Sequence, residues 1–476
     1  MASRPNILLI VVDSLRADAL GCYRPGVEST PNLDRLAREG VRFSNYFSQS
    51  SWTLPSFATI FSGLYPWEHG YFNHRDYYRG GNFLSAGQEN GYDVRCCVAF
   101  AFFQINFNLP RLTAGSVKKN DLADAAGYVE RLVGSRDRRT PRLVFWHIGS
   151  CHLPYFTEEQ IEPTDRIGSL FQENIFGGFS PSPRVPGTLL PLFSKVFRHP
   201  LTGKICRQLK NAEKLKKPFH GMINRWGGER ERTVLELTAE INSGRMKLTP
   251  EEIRRLREAY SYSAAVTDQH LAGVFNRVKN APGREWVVIV TSDHGEELME
   301  RGVFWHKTSL YQSIVHVPLI AWSSGGREGG RVESAYRSHV NLAPTIMELA
   351  GMTHRRPGYS LGKGFAPPAG GEDGPVICAD LRSLAIIRPP YKLILTAAAD
   401  IDYNDFSSVR LARTELYDIE KDPGENNELS SGRTELVSGL KRELIFRIKG
   451  GDSSSHALTP REQRRLTEEL VSLGYL

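Results

Sequence analysis

Five short runs of mostly β-branched and other apolar residues constrain the fold of this chain more than any other feature. They cover residues 6–12, 95–100, 143–148, 286–291 and 317–322. Hydrophobicity is continuous rather than alternating along these runs, which is typical of strands buried on both faces of a parallel sheet. Helical patterns lie between them, for example at 32–39 and from Thr249 onward, where a capping box precedes a long segment. The order predicts an α/β fold, with a predominantly parallel sheet and helices on both faces.

The length of the chain predicts two unequal domains. Its 476 residues exceed the roughly 250–300 residues at which a single core stops growing. We expect a catalytic domain over 1–371 and a smaller C-terminal α+β domain over 372–476, with strands near 384–387 and 391–395 and a last helix that begins at Thr459. Residues 157–248 interrupt the pattern with Gly, Pro and a basic cluster between Lys195 and Lys217. This insertion is either a solvated lid or a contact with an anionic surface.

Composition and net charge limit the classes of substrate and binding partner that this chain is expected to have. A hydrophobic fraction of 40% with 24% charged residues is typical of a globular protein. The net charge of +7 suits a small anionic ester as substrate, but it is too small and too dispersed to predict a nucleic-acid partner. Six cysteines without a C-x-x-C spacing favour a reducing compartment. No apolar stretch approaches the roughly 20 residues of a membrane span, and the run at 6–12 is too short for a signal peptide, so a cytoplasmic protein is expected.

Acidic and imidazole side chains follow three of the predicted strands. Asp13 closes the first run, His152 follows the third, and Asp293 with His294 follows the fourth. In open α/β sheets the ligand crevice lies at the carboxyl ends of the strands, so these side chains are expected to converge. Carboxylates and imidazole together suit a divalent cation such as Ca²⁺, Mg²⁺ or Mn²⁺.

Each of these residues also has a purely structural interpretation. Asp13 could cap a following helix, and His152 could be a hydrogen-bonded core histidine. The Asp293-His294-Gly295 sequence at a strand end is less easily explained in this way. The convergence of all three segments favours a functional site.

Thr53 is the candidate nucleophile. Pro55 suits the first turn of a helix, which would place Thr53 just before the helix N-terminus. Free N–H groups and the helix dipole there stabilise an alkoxide and an incoming anion, and a metal can activate the hydroxyl. The alternative is that Thr53 simply caps the helix.

Several segments, in order and spacing, resemble the sulfatase family of the alkaline phosphatase superfamily. The N-terminal segments are NILLIVVD at 6–13 and TPNLDRLA at 30–37; the later ones are HIGSCHLPY at 147–155, SDHGEE at 292–297, KTSLY at 307–311 and VPLI at 317–320. ELYD at 415–418, Asp422-Pro423 and LGY at 473–475 resemble C-terminal signatures of the family. The resemblance therefore spans nearly the whole chain outside the insertion.

The resemblance implies a role for each matching residue. It implies metal binding by Asp13, Thr53, Asp293 and His294. His152 and Lys307 would then contact the substrate or the leaving group, with Lys307 as a fixed positive charge and His152 as a proton donor. His306, beside the lysine, matches a histidine found in some relatives.

Two residues depart from the family pattern. Sulfatases that form formylglycine carry a C/S-x-P-x-R motif, whereas this chain has Thr53 at the first position and Phe57 at the last. Threonine cannot give that aldehyde, and relatives with threonine here typically transfer or hydrolyse phosphoryl groups. Phosphate esters, diesters and phosphonates therefore stand beside sulfate esters as candidate substrates. The second departure is Ser14, where many sulfatases carry another aspartate.

The sequence thus leaves three functional hypotheses. In the first, Thr53 attacks sulfur or phosphorus and water hydrolyses the covalent ester. In the second, an alcohol replaces water and the enzyme is a phosphoryl-group transferase. In the third, the chain is a catalytically silent protein that binds anions.

Overall fold

The structure of the protein is a computed structural model. It covers residues 4–73, 76, 78, 81–99, 107, 109, 122–135, 139–157, 165–172, 234–307, 309–326, 329–365, 374–403, 406 and 409–450. Two compact units divide the chain: one comprises Met1–His152 and Thr249–Leu476, and the other comprises Leu153–Leu248. The basic cluster of the insertion, the helix expected at Thr459 and the signature at 473–475 lie outside the described residues.

The first unit contains a seven-stranded sheet. Its strands are β1 (Asn6–Val12), β2 (Val41–Phe43), β3 (Asp93–Val98), β4 (Arg142–Ile148), β5 (Trp286–Ser292), β6 (Leu319–Ser323) and β7 (Arg331–Glu333). They lie in the order β7-β2-β6-β5-β1-β4-β3. The four strands β5, β1, β4 and β3 are parallel, whereas β6 runs antiparallel to both of its neighbours. The predominantly parallel α/β sheet predicted from the apolar runs is thereby confirmed, with an antiparallel strand within it.

Helices cover both faces of this sheet. In the first unit they are α1 (Pro31–Glu39), α2 (Thr53–Ser62), α3 (Pro66–His69), α4 (Phe83–Glu89), α5 (Leu122–Val133), α7 (Pro250–Lys279), α8 (Gln312–Val315), α9 (Leu342–Leu349) and α10 (Thr434–Ile448). The longest, α7, begins with the predicted capping box, in which Thr249 and Glu252 exchange side-chain and backbone hydrogen bonds. Helix α1 matches the predicted segment to within one residue.

Strand alternation decides which side chains meet α2. Ile7, Leu9 and Val11 of β1 share one apolar core with Leu54 and Phe57 of α2. The core also includes Leu143 and Phe145 of β4 and Val287 and Ile289 of β5. Because side chains alternate between the two faces of a strand, the same face continues to Asp13, His147 and Asp293 at the carboxyl ends. The N-terminus of α2 therefore lies on the side of the sheet where the polar strand ends emerge.

A smaller antiparallel sheet lies near the C-terminus. Its strands are β8 (Val376–Ala379), β9 (Ser383–Arg388), β10 (Tyr391–Ala397) and β11 (Leu411–Asp418), paired in that order. Leu393, Leu395 and Leu416 form its core with Leu440 and Leu444 of α10. This sheet belongs to the first unit, and the predicted domain boundary between residues 371 and 372 stays a prediction.

The second unit is described in three segments. Tyr155–Phe156 pairs in parallel with Phe171–Gln172, and helix α6 covers Val234–Asn242. The guanidinium of Arg166 donates to the carbonyl of Lys247 at 2.9 Å. Within the described residues of the whole chain, no helix is both long and apolar enough to cross a membrane. The expected cytoplasmic location stays a prediction.

Candidate active site

Asp13, Asp293 and His294 converge at the carboxyl ends of β1 and β5. These strands are adjacent and parallel, with Val12 opposite Ser292, so the residues that follow them emerge side by side. One ligand atom from each of the three side chains lies within 4.8 Å of the others, and all three residues are fully buried. The prediction that these residues surround a single site is therefore supported by their geometry.

Ser14 lies between the two carboxylates. Its hydroxyl donates to Oδ1 of Asp13 at 3.0 Å, and its backbone N–H donates to Oδ1 of Asp293 at 3.1 Å. The residue has a φ of 61°, in the left-handed region that side chains other than glycine seldom adopt. The hydroxyl of Tyr260 on α7 anchors this turn by donating to the Ser14 carbonyl at 2.8 Å. The serine at this position thus orients both acidic side chains.

The polar atoms of this cluster fit a divalent cation. Nδ1 of His294 lies 2.8 Å from the carbonyl of Gly295, which assigns the proton to Nδ1 and leaves a lone pair on Nε2. Nε2 lies 3.3 Å from Oδ2 of Asp293, and among the described residues no donor hydrogen-bonds to that oxygen. A lone pair and a carboxylate oxygen without a donor, both buried, are the environment that a cation satisfies.

The pKa shifts of the three side chains also favour a bound cation. Burial and the nearby Asp13 carboxylate raise the pKa of Asp293 well above its usual value. Burial also works against ionisation of Asp13, but the nearby His152 and the hydrogen bond from His147 hold its pKa below the usual range. Burial lowers the pKa of His294 to about 4, which keeps its imidazole neutral. Two adjacent buried carboxylates repel each other, and a bound cation would remove that cost.

Thr53 points into the cluster. Its Oγ1 lies 3.3 Å from Nε2 of His294, and the residue is buried. Thr53 is the first residue of α2, whereas Trp52 occupies the capping position without a side-chain capping hydrogen bond. The sequence pattern predicted Thr53 one position earlier, just before the helix. The observed partner of its hydroxyl is an imidazole of the site, which argues against a capping role.

His152, His306 and Lys307 lie next to the cluster. The ring of His306 lies 4.5 Å from that of His294 and 5.1 Å from that of His152. Nδ1 of His306 lies 3.1 Å from a carboxylate oxygen of Glu296, which orients the ring. Burial, with the neighbouring His294, lowers the pKa of His306 well below its usual value. All seven residues predicted from the sequence are therefore in the first unit and close together.

Lys307 is held by stacking and by its backbone. Its Nζ lies 3.6 Å from the centre of the Trp52 ring, a cation–π contact. Its backbone N–H donates to the carbonyl of Ser51 at 3.1 Å, and its φ of 70° is in the left-handed region. Desolvation lowers the pKa of this lysine, while the carboxylate of Asp380 acts in the opposite direction. The exposed ammonium is placed beside the residue that precedes Thr53.

Sequence reasoning missed the role of His147. Its Nε2 lies 3.3 Å from Oδ2 of Asp13, with both side chains fully buried. The rings of Phe57 and His147 pack edge to face, with their centres 5.2 Å apart and their planes at 90°. Phe57 thus fills, with an apolar ring, the position where formylglycine sulfatases carry arginine. The sequence did carry one signal for this role. His147 alternates with Leu143 and Phe145 along β4, so its side chain is on the face of the strand that packs against α2.

Asp380 and Glu296 were also missed. Asp380 follows β8 and accepts hydrogen bonds from the Ser50 hydroxyl and, at 3.1 Å, from the Ser51 N–H. Burial raises its pKa to about 6, against these hydrogen bonds. Glu296 orients His306 as described above. No motif marks Asp380, because its partners are separated from it by more than 320 residues.

The class of protein follows from comparison with known families. A family model described as Sulfatase matches residues 5–352, which is most of the chain. The chain belongs to the sulfatase family and is a hydrolase of that family, as the N-terminal and DHG segments predicted.

Two curated relatives match most of both chains at low identity. N-acetylglucosamine-6-O-sulfatase of Bacteroides thetaiotaomicron is 23% identical over 92% of this chain and 84% of its own length. Arylsulfatase K of Gallus gallus is 24% identical, over 93% of this chain and 82% of its own. A solved structure in complex with D-glucosamine-2-N,6-O-disulfate has a TM-score of 0.62 at 19% identity, covering 96% of this chain and 100% of that one. The phosphonate monoester hydrolase of Agrobacterium radiobacter has a TM-score of 0.60 at 19% identity, covering 96% and 99%.

Proposed function

We propose that this protein is a metal-dependent hydrolase that cleaves sulfate or phosphate-type esters through a covalent intermediate on Thr53. The observation that carries the proposal is the position of the Thr53 hydroxyl. It lies 3.3 Å from the unprotonated Nε2 of His294, beside the two carboxylates and at the N-terminus of α2. A hydroxyl that served only the helix would face the backbone N–H groups of the first turn.

The proposed metal site uses Asp13, Asp293 and His294, with Thr53 beside them. A divalent cation held there would neutralise the anionic ester and lower the pKa of the threonine hydroxyl. The Thr53 hydroxyl gives up its proton to solvent water, its oxygen attacks the sulfur or phosphorus atom, and the ester bond to the leaving alcohol breaks. The leaving oxygen takes its proton from His152, whose ring lies 5.1 Å from that of His306. Lys307 binds the oxygens of the transferred group as a fixed positive charge.

The identity of the nucleophile, a threonine, supports phosphate-type esters as substrates in addition to sulfate esters. Threonine has no formylglycine route, so the ester formed on Thr53 has to be cleared by water attacking the transferred atom. The structural likeness to a phosphonate monoester hydrolase supports this extension, while the named relatives act on sulfate esters. We therefore expect the best substrate to be found among phosphodiesters, phosphonate monoesters and sulfate esters of small alcohols.

A substrate panel tests the proposal. The purified protein, stripped of metal by chelation and then supplied with Mg²⁺, Mn²⁺ or Ca²⁺, is assayed on nitrophenyl sulfate, nitrophenyl phosphate, bis-nitrophenyl phosphate and nitrophenyl phenylphosphonate. We expect at least one ester to be turned over, and only in the presence of a cation. Adding glycerol separates hydrolase from transferase: a hydrolase releases nitrophenol and the free acid (sulfate, phosphate, nitrophenyl phosphate or phenylphosphonate) in equal amounts, whereas a transferase releases more nitrophenol than free acid. Failure with all four esters and all three cations would contradict the proposal and favour an anion-binding protein.

We also predict that His147 positions Asp13 for the metal. Replacing His147 by leucine removes the donor to Oδ2 of Asp13 and should weaken cation affinity by roughly 10–100-fold, the usual effect of losing a group that orients a ligand. Titration calorimetry of the metal-free protein with Mn²⁺ measures this without any substrate.

His316→Leu is the matched control for this prediction. His316 is another largely enclosed imidazole, but its Nε2 bonds to the carbonyl of Ser44, away from the cluster. Both variants should lose stability, and only His147→Leu should lose affinity for the cation. Equal affinities in the wild type and His147→Leu would remove His147 from the metal site.

A further inference from the structure

The end of strand β8 holds the segment that leads into Thr53. The thiol of Cys378 donates to the Ser48 carbonyl at 3.1 Å, and the N–H of Ala379 donates to the Gln49 carbonyl at 2.7 Å. The next residue, Asp380, bonds to the next two residues of the segment. The last two residues of β8 and Asp380, which follows them, therefore contact residues 48–51 in order.

Asp380 makes the contacts nearest to the nucleophile. One carboxylate oxygen accepts the Ser50 hydroxyl, and the other accepts the Ser51 N–H. The carbonyl of Ser51 accepts in turn from the backbone N–H of Lys307. Both the backbone N–H and the carbonyl of Ser51 are therefore hydrogen-bonded. Helix α2 begins two residues later, at Thr53.

The placement of this turn matters for an attacking oxygen. In-line attack requires the nucleophile within about 3–3.5 Å of the reacting atom, and a displacement of 1 Å can cost on the order of 10²-fold in rate. Lys307 adopts a left-handed backbone conformation that surrounding contacts have to maintain. The Ser51–Lys307 hydrogen bond is one of those contacts, so the same carboxylate supports both the nucleophile turn and the lysine.

We infer that Asp380 is a positioning residue of the active site, which clamps the turn at Ser50 and Ser51 so that Thr53 and Lys307 are held for attack. This inference rests on the proposed function of Thr53. It makes the C-terminal sheet a contributor to the reaction, although none of its residues belongs to the metal cluster.

The test compares Asp380→Ala with a matched control, Asp400→Asn. Asp400 lies in the loop that follows β10, and its ion pair with Arg382 is exposed to solvent. Both are assayed on the ester that the wild type turns over best. For Asp380→Ala we expect kcat to fall by about 10²-fold, with KM within about threefold of the wild type. Cation affinity should change by less than about twofold, because Asp380 touches none of the metal ligands. The control should keep the kcat of the wild type.

Two further variants check that the effect passes through the turn. Asp380→Asn retains one acceptor and should lose less activity than the alanine variant. Ser50→Ala removes one of the two contacts, and the double variant Asp380→Ala/Ser50→Ala should be no slower than Asp380→Ala alone. Additive losses would contradict action through Ser50.

Hydrogen exchange supplies a readout that does not need turnover. Peptides covering residues 48–56 should exchange faster in Asp380→Ala, while those of β1 and β5 should keep wild-type protection. Unchanged exchange at 48–56, or a kcat within about threefold of the wild type, would overturn the inference. So would loss of protection throughout the sheet together with a large fall in Tm, which would indicate a general structural role. If the wild type turns over none of the four esters, the proposed function fails, and the exchange comparison alone decides whether Asp380 holds the turn.

Discussion

Thr53→Ala should abolish turnover, with kcat/KM falling by on the order of 10³-fold or more on every ester that the wild type cleaves. The substitution removes the oxygen that lies 3.3 Å from His294 and leaves a residue that is compatible with the first turn of α2. Metal binding should weaken only slightly, because Asp13, Asp293 and His294 remain. Thr53→Ser restores an oxygen nucleophile and should recover part of the activity.

Thr59→Ala is the matched control in the same helix. Thr59 is also buried, and its hydroxyl also pairs with an imidazole, that of His69 at 3.2 Å, but far from the cluster along α2. Each alanine variant should lose about 1 kcal/mol of stability with its hydrogen bond. Only the change at Thr53 should stop the reaction.

A trapped intermediate locates the nucleophile directly. Mass spectrometry of the wild type quenched with a slow substrate should find a phosphoryl or sulfuryl group on the peptide that contains Thr53. Normal turnover by Thr53→Ala, with a stability loss of about 0.5–2 kcal/mol, would show that the residue only caps the helix. An adduct on Ser51 or Ser56 would move the nucleophile to that residue.

Asp293→Asn and His294→Ala should each remove the bound metal and the activity together. Both groups face the centre of the cluster, so we expect cation affinity to fall by more than about 10²-fold, beyond the effect of residues that merely orient a ligand. Metal content after dialysis, measured by plasma mass spectrometry, and turnover on the best ester are the two readouts.

The metal-free stability of Asp293→Asn gives a separate check with a definite sign. Burial and the Asp13 charge raise the pKa of Asp293 in the folded protein. As the pH rises above the usual pKa of an aspartate, this group therefore lowers the stability of the metal-free fold relative to the unfolded chain, in which the carboxyl ionises freely. Asparagine removes that ionisable group, and the metal-free variant should melt at least as high as the metal-free wild type. The wild type should gain stability when a cation is added, and the variant should not.

Asp268→Asn is the control for both readouts. Asp268 is buried and accepts the N–H groups of Asn32 and Leu33 at the start of α1, away from the cluster. Its substitution should leave metal content and turnover unchanged. A metal-free Asp293→Asn protein that kept full turnover would exclude the metal from the mechanism.

Much of the architecture could be read from local patterns. The run at 6–12 became β1 without a change of bounds, and Thr249 with Glu252 capped α7 as expected. Both signals depend on neighbours within a few residues, namely continuous burial along a strand and the geometry of the first helical turn. The antiparallel direction of β6 had no such signal, because a buried run of apolar residues looks the same in either direction.

The grouping of Asp13 with Asp293 was predictable for a related reason. Asp13 and Asp293 each follow a buried strand, and parallel neighbours end at the same edge of a sheet. The start of α2 relative to Thr53 was predicted only to within one residue. The capping geometry that separates the first helical residue from the one before it depends on backbone angles that the sequence does not display.

By itself, the sequence determined the strands, the main helices and the residue types that line the site, since these follow from hydrophobic periodicity, capping and the chemistry of the side chains. The tertiary structure alone decided which groups hold those residues in place. His147 reaches Asp13 because β4 pairs with β1 in a register that sets Val11 beside His147, and Asp380 reaches Ser51 because β8 ends against the turn before α2. The partners in these two contacts are separated by 134 and 329 positions in the sequence. Such contacts arise from the packing of the whole chain, so neither local segment carries a sequence pattern that predicts them.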